Sequence, residues 1–435
     1  MRRVVLWFTP LCLAACGAPR HQTSLIARRS PSPTWAFENG RWFDGGRFVT
    51  RTMYVSDGVF REDRPARVDS TVDLKGSWAI PPFGDAHTHN LDGTFNLETV
   101  RARYLREGTF YVQVLTNSVS GANAVRDRWN RACDLDVTYA NAGISSTLSH
   151  PFLAYEPRAM RSIPFGADWR DHAAAIRASR LRLGDAYWFI DSLPDLERVW
   201  PRVLATKPDL LKVFLLDATE TPPVMPDTGL PSGHGLRPSV LAAVMERARA
   251  HGLRVSAHIE TAADMRLAVE QGVTIFAHLP GYALADNLDL APYEIDEATA
   301  RLAGRRGVIV IPTLQWANNP GGETTPAGIQ RRLDLQARNI ERLRRHGVTV
   351  AVGSDQFGAT AEPEFQAFRK LGLWSNAELL TLWGEQTARS IFPGRRLGRL
   401  AAGYEASFLV LPRDPLASPD ALREITMRFK QGCRL

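Results

Sequence analysis

One repeated unit constrains this chain more than any other feature. In its second half, a charged helix-like segment ends at a glycine and a short apolar run follows: HGLRV (251–255), QGVTI (271–275), RGVIV (306–310) and HGVTV (346–350). Gly252, Gly272, Gly307 and Gly347 stand where a helix closes in the left-handed conformation, which glycine enters without a Cβ clash. Each run that follows is rich in Val and Ile and apolar throughout, the pattern of a parallel strand covered on both faces. Helix, glycine and buried strand in repetition predict a parallel α/β architecture.

Earlier segments fit the same series. The expected strands lie in WAIPPFGDAH (78–87), TFYVQVLT (109–116), VTYANAGIS (137–145), DLLKVFLL (209–216), RVSAHIE (254–260), VTIFAHL (273–279), VIVIPTL (308–314) and VTVAVGSD (348–355). Eight parallel strands joined by helices predict a (β/α)8, or TIM, barrel over residues 80–396. Connections into the strands are short. Connections out of them are long and rich in Pro and Gly, as at 217–239 and 315–328, and in a barrel the long loops build the catalytic face. A doubly wound sheet is the alternative, but no glycine-rich dinucleotide turn follows the first strand. Residues 34–79 and 397–435 instead alternate aromatic or branched residues with turn signals such as NG and DGG. They predict a small β-sandwich built from both chain ends.

The first residues read as a targeting segment. MRR is followed by an apolar stretch too short to span a bilayer, and then by LAAC, ending at Cys16. Small residues before a cysteine resemble a bacterial lipoprotein signal, with 1–15 removed, Cys16 lipidated and 16–33 serving as a tether. The expected location is the cell envelope, lipid-anchored and facing the periplasm. Gly17 after the cysteine favours the outer membrane. Of the four cysteines, Cys133 and Cys433 remain, and they either pair or stay as separate thiols. The net charge of +7 is spread along the chain without a basic run interleaved with aromatics, so no nucleic-acid partner is expected.

Only ten histidines are present, and four of them stand at predicted strand ends. His87 and His89 close the first strand, where residues two apart share a face. The fourth strand carries Lys212 in an apolar run. The fifth ends near His258, the sixth near His278 and the eighth at Asp355. In a barrel these groups converge on one mouth. Neutral imidazole and carboxylate ligate Zn²⁺ and similar ions, and four imidazoles exceed the need of one open catalytic site, so two metals are expected. A buried ammonium is costly beside cations, but a neutral amine reacts with CO₂ to give a carbamate, an anion that can bridge two ions.

This set, with HIETAADMRLAVEQGVTIFAHLPGY (258–282) and LGRLAAGYEASFLVL (397–411), resembles the amidohydrolase superfamily, in the binuclear branch with a carboxylated lysine, near its prolidase-like and imidazolonepropionase-like members. The resemblance implies that His87, His89 and Asp355 hold one metal, His258 and His278 the other, and carboxylated Lys212 bridges them. It implies two divalent ions, with zinc the expected metal. It implies hydrolysis of an amide-type C–N bond, in a peptide-like or cyclic small molecule, by a metal-activated bridging hydroxide, with Asp355 taking the proton. Asp85 or Glu260 would orient histidines from behind. Pro82 and Ser407 depart from the usual Gly and Asp and affect local turns only.

Weaker candidates are His150 after the third strand, His234 and Arg237 in the fourth loop, and Tyr282 in the sixth. Arg237 is placed to receive a substrate carboxylate. Trp188, Trp200 and Trp316 read as packing residues. Two other functions compete. A mononuclear deaminase of the same superfamily would place Glu three residues after the fifth-strand His, where this chain has Thr261. A non-catalytic binding protein would have lost at least one of the six ligands, and none is missing.

Overall fold

The computed structural model describes residues 33–218, 229–231, 233–286, 288–318 and 324–435. The targeting segment, Cys16 and most of the tether lie outside the described residues, as do the centres of the fourth and seventh loops. The fold is mixed α/β. Strands β1 (Trp35–Phe43), β2 (Phe48–Ser56), β3 (Val59–Arg61), β4 (Ser70–Asp73) and β5 (Trp78–Ile80) come from the front of the chain. The parallel strands follow: β6 (Phe83–Thr88), β7 (Thr109–Val114), β8 (Asp136–Tyr139), β9 (Gly143–Ser145), β10 (Tyr187–Phe189), β11 (Leu211–Phe214), β12 (Val255–His258), β13 (Ile275–Ala277), β14 (Ile309–Ile311) and β15 (Thr349–Val350). The chain closes with β16 (Phe408–Leu411), β17 (Met427–Lys430) and β18 (Cys433–Arg434).

The parallel strands form a three-stranded sheet, β6-β7-β8, and a seven-stranded sheet, β10-β9-β11-β12-β13-β14-β15. Backbone bonds join the two. Ala86 N donates to Val352 O at 2.8 Å and Asp355 N to His87 O at 2.6 Å, so the stretch after β15 runs beside β6. On the other side β8 and β9 are parts of one predicted strand, broken at Asn141, whose φ is 61°. Gly353 makes the first junction possible. A Cβ there would lie 2.7 Å from His87 N and 2.5 Å from Ile311 Cγ2, closer than packed atoms approach. The four helix-ending glycines take φ between 62° and 95°, because the chain must reverse within a residue or two to enter each buried strand.

β10 was not expected. It follows an insertion over 146–186 and packs with it, Phe152, Ile176, Ala186 and Tyr187 forming an apolar cluster of their own. The two chain ends meet in one eight-stranded sheet, β18-β17-β16-β5-β1-β2-β3 with β4 also on β1. This corrects the expected sandwich of two sheets. Phe60 on β3 and Phe408 on β16 lie four strand positions apart along that order. Their rings nevertheless sit 5.9 Å from each other, which a flat sheet with roughly 4.8 Å between strands cannot allow. The sheet is rolled, and Phe60 N to Tyr404 O and Ala406 N to Gly58 O, at 2.9 and 2.8 Å, tie its far edges. Aromatics drive the roll: Phe37, Trp42, Phe408 and Phe429 fill its interior. They belong to the same apolar core as the parallel strands.

Two joints hold the rolled sheet to the parallel strands. Buried Asp136, at the start of β8, accepts from Lys430 Nζ at 2.9 Å and from Arg395 at 2.7 Å. Beside it, Cys133 and Cys433 form a disulfide with Cα atoms 5.5 Å apart, which resolves the open alternative for these thiols. No helix among the described residues is long and apolar enough to cross a membrane.

Candidate metal centre

The C-terminal ends of β6, β11, β12, β13 and the stretch after β15 bring one set of side chains together. His87 Nε2 and His89 Nε2 lie 3.1 and 3.0 Å from the same oxygen, Asp355 Oδ1. His278 Nδ1 is 3.7 Å from Asp355 Oδ2. The ligating atoms of His87, His278 and Asp355 all fall within 4.8 Å of one another. The His258 ring is 4.7 Å from that of His278, and Lys212 is adjacent to this group, only 2% exposed.

Backbone geometry at the strand ends places these groups. His278 and Asp355 carry positive φ, 80° and 49°, a conformation that costs about 1 kcal/mol or more in a residue with a Cβ and is kept where the surroundings enforce it. Asp85 is part of that enforcement. Its buried carboxylate accepts from Ser354 N and Ser354 Oγ, both at 2.9 Å, and from Tyr104 OH at 2.9 Å. It therefore fixes the residue before Asp355 and touches no imidazole. Burial raises its own pKa to about 6. Glu260 does face a ring, since His258 Nε2 is 2.9 Å from its Oε1. Asp264 holds the neighbouring strand ends by accepting from the amides of Asp217, Ala218, Glu260 and Thr261.

The hydrogen bonds behind the rings decide which nitrogens are free. His89 Nδ1 is 3.0 Å from Thr116 O, an acceptor, so Nδ1 carries the proton and Nε2 presents a lone pair. Thr313 Oγ1 donates to Pro312 O and lies 2.6 Å from His278 Nδ1, so this ring too donates through Nδ1. His258 Nε2 shares a hydrogen bond with the Glu260 carboxyl, whose pKa burial raises to about 8, and its Nδ1 has no protein partner. His87 Nδ1 and Lys212 Nζ are likewise buried without one. Burial, before any neighbouring charge, pushes His87 and His278 well below the usual imidazole range and His258 to about 3. It pushes the Lys212 amine down to about 7. The result is a carboxylate oxygen that faces the unprotonated Nε2 of His89, with Nε2 of His87 crowded against the same atom. Lone pairs and a carboxylate in contact repel unless a cation lies among them, and these donor types suit a borderline divalent ion. The donor set of His87, His278 and Asp355 fits a divalent metal ion.

The other candidates divide. Tyr282 stacks on His278 with ring centroids 4.0 Å apart, held by Gly281 N donating to Glu260 O. His150 stacks on His258 at 4.8 Å and is exposed. His234 and Arg237 are exposed, and no side-chain contact joins either to the histidine cluster among the described residues. Arg237 immediately precedes the helix Pro238–Ala250 as its N-cap, without a side-chain cap bond. Trp188 and Trp200 are buried in the core. Thr116, Thr313 and Phe357 were missed. Phe357, two residues beyond Asp355, stacks on His89 at 4.8 Å. Two surface clefts, of about 250 and 540 Å³, share no residue with this cluster.

Comparison with known proteins agrees with this geometry. Over 298 residues the chain is 24% identical to an imidazolonepropionase of Methylobacterium sp. (strain 4-46), a match covering 66% of this chain and 65% of that protein. The chain thus spans slightly under two thirds of that relative. An imidazolonepropionase of Chromobacterium violaceum is 24% identical over 371 residues, 78% of each chain. Among solved structures, a prolidase complexed with N-methylphosphonate-L-proline superposes with a TM-score of 0.65 at 19% identity, covering 92% of this chain and 99% of that one. Residues 205–430 match the profile of the amidohydrolase family, the stretch that holds Lys212, His258, His278 and Asp355, and the chain belongs to that family.

Proposed function

We propose that this protein is a metal-dependent hydrolase of amide-type C–N bonds, acting on a peptide-like or cyclic small molecule. Family membership supports the reaction class, and the names of the relatives, imidazolonepropionase and prolidase, support a small amide substrate. One observation carries the reading: Asp355 Oδ1 faces two imidazole nitrogens while Lys212 Nζ and His258 Nδ1 stand buried and unpartnered. His87, His89 and Asp355 would hold one ion and His258 and His278 a second, with Lys212, carboxylated by CO₂, between them. We take the ions to be zinc. When bound, such ions polarise a carbonyl and lower the pKa of water.

The chain's own groups do the rest. Asp355 holds and returns the proton through its carboxylate, the one acid in contact with three of the histidines. Thr116 O and Thr313 Oγ1 fix the tautomers of His89 and His278, so these two imidazoles offer Nε2 without a rearrangement, and Glu260 orients His258. His150 and Tyr282 flank the cavity and orient the amide. The deaminase alternative loses ground because Thr261 Oγ1 is occupied in capping a helix through Asp264 N.

The two parallel sheets read as arcs of a single (β/α)8 barrel. The Ala86–Val352 bond and the continuity of β8 with β9 support closure, with the rolled sheet beside it. The envelope is the proposed location, with the leader and Cys16 as its address. The Cys133–Cys433 disulfide suits an oxidising compartment. The test is metal analysis with a screen of dipeptides, N-acyl amino acids and lactams. Two ions per chain and turnover of an amide are expected. Unchanged metal content in Lys212→Ala would refute the bridge.

A further inference from the structure

The insertion between β9 and β10 carries a cation to the mouth of the metal centre. Its helix Phe152–Ala159 is anchored there by Tyr155, whose hydroxyl donates to Thr116 O at 2.8 Å. That carbonyl is the one that accepts from His89. One turn on, Arg158 stands between two aromatic rings, with its guanidinium carbon 5.3 Å from the centroid of Trp169 and 5.8 Å from that of Phe357. Phe357 stacks in turn on His89 and is 55% exposed, a large apolar face left to solvent two residues from Asp355.

Arg158 has no carboxylate partner among the described residues. Two other arginines of the same insertion and its borders do have one: Arg170 with Asp168 and Arg182 with Asp185. Arg158 uses one donor on Ala154 O, in its own helix. No other hydrogen bond engages its planar fork among the described residues, and Phe357 lies between it and His89. A guanidinium fixed between aromatic faces is pre-organised to take a carboxylate by two parallel hydrogen bonds. An exposed phenyl face beside it suits an apolar side chain.

We propose that Arg158 is the receptor for a free carboxylate on the substrate, with Phe357 as the platform for the apolar group next to it. The substrate class is then an amide that bears a carboxylate and an adjacent aromatic or branched side chain. This deepens the amide-hydrolase reading and rests on it, but it assigns the carboxylate to a residue of the insertion instead of Arg237.

Binding and turnover test it separately. By calorimetry on metal-loaded protein, 3-phenylpropionate is expected to bind more tightly than 3-phenylpropionamide, and Arg158→Gln to remove most of that preference, on the order of tenfold to a hundredfold. Arg158→Lys should recover only part of it. In turnover, kcat/KM for N-acetylphenylalanine should fall in Arg158→Gln while that for N-acetylphenylalaninamide holds. An unchanged acid-over-amide preference in Arg158→Gln overturns the proposal, because the carboxylate is then held by the metals or elsewhere. If wild type binds the acid through Arg158 but cleaves no amide, the receptor stands and the hydrolase reading fails.

Discussion

Lys212→Met is expected to stabilise the metal-free protein while destroying its metal centre. Without ions or CO₂, Lys212 Nζ is buried with no hydrogen-bond partner, and burial lowers its pKa from 10.5 to about 7. The unfolded chain keeps the ordinary value, so it binds more protons than the folded chain between those two pH values. Stability of the wild type must then rise with pH across that window. At pH 8, giving up the proton on folding costs about 3 kcal/mol, taking roughly 1.4 kcal/mol for each pH unit below the unfolded value. Methionine has a similar length and no polar atom, and it packs against Phe214, whose ring lies 5.4 Å from Nζ. The expected gain at pH 8 is about 2 to 3 kcal/mol, read as a rise of several degrees in Tm. It should shrink toward zero near pH 10. The assay is thermal unfolding of chelator-treated, CO₂-free protein across pH, beside metal analysis of the untreated proteins. A variant that unfolds at the same temperature as wild type or lower at pH 8, with a gap that ignores pH, would refute the burial of an unpartnered amine.

Other outcomes follow from single contacts. Asp355→Asn keeps its shape but not its charge, so kcat should drop on the order of a thousandfold in a folded protein; a loss under tenfold would remove Asp355 from proton transfer. Gly353→Ala pushes a Cβ against the His87 backbone, which should cost about 1 to 3 kcal/mol in denaturant unfolding and lower the metal content. Cys133→Ser should lose about 2 to 5 kcal/mol under oxidising conditions, and the difference from wild type should vanish in reductant.

Much of the site was legible because its signals are local. His87 and His89 share a face through the two-residue period of a strand, and Gly272 marks a helix end because only the left-handed turn there lets β13 begin. Asp264 was open to the same reading, since T-x-x-D at 261–264 is a capping pattern, yet its hold on the end of β11 joins segments far apart in sequence. Contacts of that kind were not legible. Alternation along β1 and β16 shows which residues face inward but not whether the sheet stacks or rolls, a matter settled by Phe60 N meeting Tyr404 O. Arg158 lies on a helix of the insertion and Phe357 in the loop after β15, and no spacing rule brings a cation over that ring. Cys133 and Cys433 are 300 residues apart, too far for spacing to speak for or against pairing.

That bond has a topological effect. It closes a covalent circle that contains Lys212, His258, His278 and Asp355 and leaves only His87 and His89 on the free arm. A protease that clips any exposed loop within the circle opens it without releasing a fragment, so the nicked molecule stays a single covalent body. A cut between His89 and Cys133 instead separates the paired histidines from their partners, and only non-covalent contacts, those of β6 and of β1–β5 in the rolled sheet, would keep them in place.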